Sequence, residues 1–254
     1  MNAMKQILGC IRKADQDYQM IQNNDRIAVG VSGGKDSMLL LYCLHLYKNF
    51  CERLNLKTFT VVGIHIRMGF PNMDFSEAIR FFEEKGIEFH IVDSRIYDIL
   101  KIQANEDGSL KCSLCSTLKK GAVNKAALSY NCHKVAFAHH ADDAIETLLM
   151  NAIYGGRLAT FAPKMYLTNS EVSFIRPLIY ARENNIIAAA DSCQVPVIKS
   201  TCPMDGYTKR QDMKDMLNTL YAEYPSAKDN FLRMLHNEKQ LSLWHEEKPE
   251  EDGQ

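Results

Sequence analysis

Short apolar runs and helix-spaced apolar positions take turns along this chain. Ile27–Val31 (IAVGV) reads as a buried strand. Thr58–Ile66 (TFTVVGIHI), Ile87–Asp93 (IEFHIVD) and Lys134–His139 (KVAFAH) read as three more, each rich in β-branched or aromatic residues. Between them the apolar positions return with helical spacing. They predict helices over Ser37–Tyr47, over Phe75–Lys85 stopped by Gly86, over Cys115–Ser129, and over Asp142–Tyr154 ended by Gly155-Gly156. Strand-helix alternation of this kind predicts an α/β fold with a parallel sheet covered by helices on both faces. Met4–Ile21 adds a leading helix, and Lys209–Tyr221 and Ala227–Trp244 add closing helices. There is no internal repeat. The divisions expected from this pattern are 1–24, 25–200, 201–245 and a disordered acidic tail over 246–254.

Composition narrows the class. The 254 residues are 46% hydrophobic, enough for one substantial core with a helical appendix. No apolar stretch reaches a membrane span and no secretory h-region stands at the N-terminus, so the expected compartment is the cytoplasm, with no membrane partner. In a reducing compartment, clustered members of the eight cysteines point to metal or catalysis rather than disulfides. The net charge is −1. The tail from Glu246 to Gln254 carries −4 of it, leaving +3 on the rest, so any polyanion site has to be a local patch.

Ser32-Gly33-Gly34-Lys35-Asp36-Ser37 stands between the first strand and the first following helix. Glycines let backbone approach an anion, a helix N-terminus offers free N–H groups, and Ser32 and Ser37 add hydroxyls. The common G-x-x-x-x-G-K-[ST] loop has no carboxylate after its lysine. Here Asp36 follows Lys35, which makes sense if the carboxylate holds a Mg²⁺ that bridges the phosphates. Lys35 adds a charge clamp. Further along, Cys112 and Cys115 are three apart and Cys202 is distant, giving three thiolates and no evident fourth ligand. A structural zinc site is usually closed by four ligands, so three suit an open cluster or a catalytic metal; thiolates alone do not choose between iron–sulfur and zinc. Cys10, Cys43, Cys51, Cys132 and Cys193 read as small buried hydrophobes or bystanders.

These residues resemble a known superfamily. SGGKDS after a first strand is similar to the signature of the N-type ATP pyrophosphatases, the PP-loop superfamily. Ala138-His139-His140-Ala141-Asp142-Asp143 resembles its second motif, with Ala138 in place of a glycine. Glu146-Thr147 continues that motif, and Ile175-Arg176-Pro177-Leu178 matches a later element. The resemblance implies a Rossmann-like PP-loop ATPase fold, with an ATP-binding α/β domain at 25–200 and a helical segment carrying the third cysteine at 201–245. It implies cleavage of ATP to AMP and pyrophosphate, with AMP transferred to a substrate oxygen. The three-cysteine layout, with Lys119-Lys120 after the first pair and Lys209-Arg210-Gln211 after Cys202-Pro203, resembles the tRNA 2-thiocytidine synthetases (TtcA family) and their 2-thiouridine relatives. In that family Cys112, Cys115 and Cys202 would hold a 4Fe-4S cluster with one iron lacking a protein ligand. A homodimer, a tRNA partner and a sulfur donor such as a cysteine desulfurase system are implied likewise.

The expected roles follow. Ser32, Gly33, Gly34, Lys35, Asp36 and Ser37 bind ATP, with Asp36 on Mg²⁺. Asp142 and Asp143 open a helix; N-capping and a metal or substrate role weigh equally for them. His139 and His140 either touch nucleotide or pack at the strand end. His65, at the end of the second strand, is where adenine would be met by analogy with other switch-point crevices. Lys119, one helical turn after Cys115, could stabilise developing phosphate charge, so Asp36, Lys119 and Asp143 form the catalytic set. A lysine here is closer to the 2-thiouridine relatives, although paired CxxC knuckles at either end are lacking. Lys119, Lys120, Lys125, Lys164, Arg182, Lys209, Arg210 and Lys214 are candidates for a tRNA path, each also readable as an ordinary solvated cation. Other acceptors (2-thiouridine, lysidine, a small molecule) and a non-enzymatic nucleotide or redox sensor are the competing readings. The three cysteines argue against lysidine, and Asp36 beside the phosphate cradle favours catalysis over sensing.

Overall fold

The computed structural model describes residues 3–71, 73–203 and 209–237. Six strands form one sheet: β1 Asp25–Gly30, β2 Phe59–Arg67, β3 Glu88–Asp93, β4 Lys134–Ala136, β5 Lys164–Leu167 and β6 Val172–Ile175. Their spatial order is β3-β2-β1-β4-β6-β5. The first five strands in that order pair in parallel, as expected for strands joined through helices. The exception is β5, which pairs antiparallel with β6 and caps the edge as a hairpin. The parallel sheet expected from the sequence is present, with β5 added antiparallel at its edge.

Nine helices are described: α1 Ala3–Tyr18, α2 Lys35–Arg53, α3 Ser76–Glu84, α4 Ile96–Ile102, α5 Cys112–Ser129, α6 Ala141–Gly155, α7 Glu183–Ser192, α8 Lys209–Glu223 and α9 Ala227–Met234. The helices α1, α2 and α7 pack against one another, while α4 packs on α5 and α5 on β2 and β4. One continuous core runs between α5 and the sheet, built from Ala28, Val62, Ile64, Val135 and Phe174 against Val123, Ala126 and Ala127. On β1 the consecutive residues Ile27, Ala28 and Val29 are all fully buried, because helices cover both faces. Gly63 in β2 is required by packing: a Cβ there would stand 2.5 Å from both Leu41 and Phe89 side-chain carbons.

Several elements differ from the sequence reading. β4 stops at Ala136 rather than His139, so the histidines lie beyond the sheet. The helix expected from Cys115 starts at Cys112, which puts both cysteines in its first turn. Helices α4 and α7 and the β5–β6 hairpin were not expected. α4 has seven residues and α7 opens on Glu-Asn-Asn, so neither presents a long periodic stripe. The last helix was expected to reach Trp244; α9 ends at Met234, and 238–244 and the acidic tail lie outside the described residues. The chain divides into two compact units, one running to Met213 and one beginning at Lys214. Among the described residues, no helix is long and apolar enough to cross a membrane.

Candidate active site

Strand order reverses between β1 and β4, so the loops leaving their carboxyl ends open a crevice where α/β sheets bind ligands. Ser32, Gly33 and Gly34 leave β1 here, and α2 starts at Lys35. No side chain caps α2, so its first backbone N–H groups are free to meet an anion. The two serine hydroxyls shape the loop. Ser37 Oγ donates to the Gly34 carbonyl at 3.0 Å and accepts from Ser32 N at 3.1 Å. Ser32 Oγ lies 3.0 Å from Ser37 Oγ and accepts from Gly34 N at 3.3 Å. Both hydroxyls and the N–H groups of Ser32 and Gly34 are used inside the loop, so the donors left there for an anion are the Gly33 N–H, the first N–H groups of α2 and Lys35. Gly33 has φ +96°, and a Cβ on it would lie 3.0 Å from Ile198 Cβ and from Phe75 Cζ. Only glycine fits both constraints.

Lys35 and Asp36 stand at the mouth of this loop. Lys35 Nζ is 3.0 Å from Glu183 Oε1 of α7 and 3.4 Å from Asp36. Its pKa is raised: burial alone would lower it, and the charges of Asp36 and Glu183 more than offset that. Asp36 titrates above the usual carboxylate range. Burial is the main cause; Lys35 and His140 oppose it and Asp143 and Glu183 add to it. Asp36 Oδ1 is buried and accepts no hydrogen bond, having only the 3.4 Å approach of Lys35. A desolvated carboxylate oxygen with no donor, among further carboxylates, suits a divalent cation.

Helix α6 starts on the other side of the crevice. His140 is its N-cap in a reciprocal box: Asp143 N donates to His140 Nδ1 at 3.3 Å, and His140 N donates to Asp143 Oδ2 at 2.9 Å. Asp142 turns toward α7, accepting from Glu183 N at 2.7 Å and from Arg182 at 3.1 Å. That occupies Asp142 in joining two helix starts. His139 lies between Phe137 and Phe161, with ring centroids 6.0 and 5.0 Å away. Burial pushes its pKa down to about 4, so the ring is neutral at pH 7, and its Nδ1 accepts no hydrogen bond. His65 is buried and stacks on Phe75 at 3.8 Å. Its Nδ1 lies 2.9 Å from the Val31 carbonyl, which can only accept, so Nδ1 carries the proton.

The sulfur side is built differently. Cys112 is exposed, Cys115 and Cys202 are half-buried, and all eight cysteines are free thiols. The Cys115 thiol is pushed up by burial, pulled down by Lys119, and pushed up again by Cys202 and Cys112. The three thiols and Lys119 therefore share one neighbourhood. Lys119 also acts on His65, lowering its pKa beyond the effect of burial. Among the described residues no three His, Cys, Asp or Glu side chains are drawn in around a single-ion position.

Cys202 follows a stretch tied to the phosphate loop, since Ile198 N donates to the Gly33 carbonyl at 2.9 Å. After it, Arg210 reaches Glu146 Oε2 at 3.0 Å and Thr147 Oγ1 at 3.1 Å. Several cations proposed for a tRNA path are engaged within the fold: Arg182 with Asp142, Arg210 with Glu146, Lys164 with the Gln19 carbonyl, and Lys209 over the Tyr154 ring. Glu183, Phe75 and Ile198 were not singled out in the sequence; each acts through a contact with a distant residue, which no local motif records.

The family model for the PP-loop domain matches residues 6–201. The chain belongs to the PP-loop domain family. It is 37% identical over 235 residues to the tRNA-cytidine(32) 2-sulfurtransferase of Geobacter sulfurreducens, covering 92% of this chain and 90% of that one. It is 34% identical over 222 residues to the enzyme of the same name from Aliivibrio fischeri, covering 87% and 71%. Among solved structures, the U34-tRNA thiolase NcsA of Methanococcus maripaludis, described with its [4Fe-4S] cluster, aligns with a TM-score of 0.72. That alignment covers 94% of this chain and 80% of that one at 24% identity, a likeness of fold. An NAD⁺ synthetase from Burkholderia pseudomallei shares the fold at a TM-score of 0.53.

Proposed function

We propose that this chain is an ATP-dependent tRNA sulfurtransferase that replaces the C2 oxygen of cytidine 32 with sulfur. The observation that carries the reading is the meeting of two kinds of chemistry in one family member: an uncapped, glycine-shaped phosphate loop with a donorless Asp36 oxygen, and three thiols gathered with Lys119. The names of the relatives supply the acceptor.

The residues divide the work. The Gly33 N–H, the first N–H groups of α2 and Lys35 hold the β- and γ-phosphates, with Ser32, Gly34 and Ser37 shaping the loop through their internal hydrogen bonds. Asp36 holds Mg²⁺, and Asp143 completes the acidic side. The pyrimidine C2 oxygen attacks the α-phosphorus, the α–β bridging P–O bond breaks, and pyrophosphate leaves. Lys119 offsets charge developing on the transferred phosphate. Sulfur at the sulfide level, reached from a desulfurase persulfide by two-electron reduction with a thiol reductant that is oxidised to its disulfide, then attacks C2; the C2–O bond breaks and AMP leaves with its electron pair. His65 and His139 are neutral walls of the nucleotide side, and Asp142 fixes the helix starts around it.

Cys112, Cys115 and Cys202 fit a [4Fe-4S] cluster. Three thiols that neighbour one another and Lys119 would hold such a cluster through their thiolates. When bound, it would supply an open iron site that handles sulfur. The protein side of this chemistry is orientation: fixed positions turn the attack at C2 into an effectively unimolecular step. The working assembly is a cytoplasmic homodimer served by a cysteine desulfurase system.

The test is mass spectrometry of digested tRNA from cells with and without this chain. The proposal expects selective loss of 2-thiocytidine. Loss of 2-thiouridine alone, or no change in any thionucleoside, overturns it.

A further inference from the structure

Lys35 does not stand at the phosphate loop as an unopposed cation. Its Nζ lies 3.0 Å from Glu183 Oε1 and 3.4 Å from Asp36, and the nearer partner is the one that comes from 148 residues away. Glu183 is the first residue of α7. The helix dipole explains a carboxylate in a first turn; it does not explain why that carboxylate turns onto Lys35. The contact is built from the backbone up. Glu183 N donates to Asp142 Oδ2 at 2.7 Å, and Arg182 Nη1 donates to Asp142 Oδ1 at 3.1 Å. The start of α7 is thereby fixed to the start of α6, and the Glu183 carboxylate is carried to the mouth of the loop. Its side chain is 18% exposed there, against 30% for Lys35. A pair this sheltered is screened less than a surface pair.

The charges then decide what the loop accepts. Lys35, Asp36 and Glu183 together carry a formal charge of −1, so the one cation among the three is outweighed. A polyphosphate arriving alone meets repulsion from a carboxylate that touches its own clamp. Arriving with a divalent cation for Asp36, it meets a cluster whose sign that cation reverses. Metal-free ATP carries about two more negative charges than its magnesium complex, so a fixed carboxylate beside the phosphates weighs more heavily against it. With an amide in place of the Glu183 carboxylate, Lys35 and Asp36 would balance and much of that difference would go.

We propose that Glu183 is a specificity-determining residue: paired with Lys35, it makes the phosphate loop take ATP as its magnesium complex and turn the metal-free nucleotide away. The inference rests on the proposed roles of Lys35 and Asp36 in phosphate and cation binding, and goes beyond them in assigning what couples the two. Metal-free ATP lodged in the loop is an inhibitor rather than a substrate, because the departing pyrophosphate has no ion to take up its charge.

The test is calorimetric titration of the full chain, without RNA, with α,β-methylene ATP, an analogue that is not cleaved at the α–β bridge. It is titrated in EDTA and in excess magnesium at equal ionic strength. In the unaltered protein the magnesium complex binds more tightly. Glu183→Gln is expected to narrow the ratio of the two dissociation constants about tenfold, chiefly by tightening the metal-free form. Cooperative melting persists, because the bond from Glu183 N to Asp142 does not use the side chain. Glu183→Ala narrows the ratio at least as far, and Glu183→Asp, which keeps the charge on a shorter arm, retains part of it. An unchanged ratio in both Glu183→Gln and Glu183→Ala overturns the inference. So does an equal tightening of both forms, which marks a general charge effect, and so does loss of binding by both, which makes Glu183 a prop of the loop. The ATP reading fails separately: an unaltered chain that binds neither form loses the phosphate site itself, whereas one that binds both with a ratio indifferent to Glu183 loses only this inference.

Discussion

The phosphate side and the sulfur side of this crevice are built on opposite terms. Around Ser32–Ser37 the loop is closed by its own hydrogen bonds, its glycine is clamped between Ile198 and Phe75, and the uncapped first N–H groups come preset from a 19-residue helix. The cysteines come from separate stretches: Cys112 is exposed, Cys115 lies in the first turn of α5, and Cys202 follows a stretch whose Ile198 N donates to the Gly33 carbonyl. In the proposed reading nucleotide binding depends on local backbone and the sulfur site on tertiary register, so the two are expected to fail in different ways.

The largest effect that would sharpen this contrast is expected at Gly33. Gly33→Ala puts a Cβ 3.0 Å from two side-chain carbons at a positive φ and displaces the loop. Pyrophosphate release and thiolation should both fall below detection, read by phosphate-coupled assay and nucleoside analysis. Near-normal pyrophosphate release would break the idea of a preset loop. Cys202→Ala comes next and should divide the two sides: thiolation is lost, while ATP affinity of the purified chain, by calorimetry, changes less than about twofold. Third, Asp36→Asn keeps shape and removes charge. Pyrophosphate release should drop about 10²–10³-fold, as when a preorganised electrostatic contact is lost, with melting unchanged. A drop of only a few fold would remove Asp36 from the cation.

The smallest effect concerns acid. His139 takes a proton at about 6.5 when unfolded and only at about 4 in the fold. Between those values the unfolded chain binds more protons, so stability falls as pH drops through that window. His139→Gln should flatten the dependence of the melting midpoint between pH 6.5 and 4.5. An identical slope in the variant would assign the acid sensitivity elsewhere.

What was legible in the sequence follows the same division. SGGKDS reads directly because strand, turn and helix start are consecutive, and its chemistry depends on local conformation. Cys112 and Cys115 read nearly as well, though the helix starting three residues early was hidden by the lack of an apolar stripe in its first turn. The role of Arg210 was not legible: in sequence it looks like one more cation near a lysine, and only the approach of α6 shows the buried Glu146 it serves. Asp142 teaches the same lesson. Its neighbour Asp143 closes a box within three residues, whereas Asp142 acts across 41 residues on Glu183. The β5–β6 hairpin escaped because four-residue strands carry almost no periodic signal.

The central claim is that one chain joins ATP cleavage to sulfur insertion at cytidine 32. The most direct measurement is anaerobic turnover of the reconstituted protein with a sulfide source, ATP, Mg²⁺ and tRNA carrying either cytidine or uridine at position 32, following pyrophosphate and thionucleosides together. The account predicts 2-thiocytidine formed with one pyrophosphate per sulfur inserted, and none with the uridine tRNA. Thiolation that proceeds without ATP cleavage, or equally well on uridine, would contradict it.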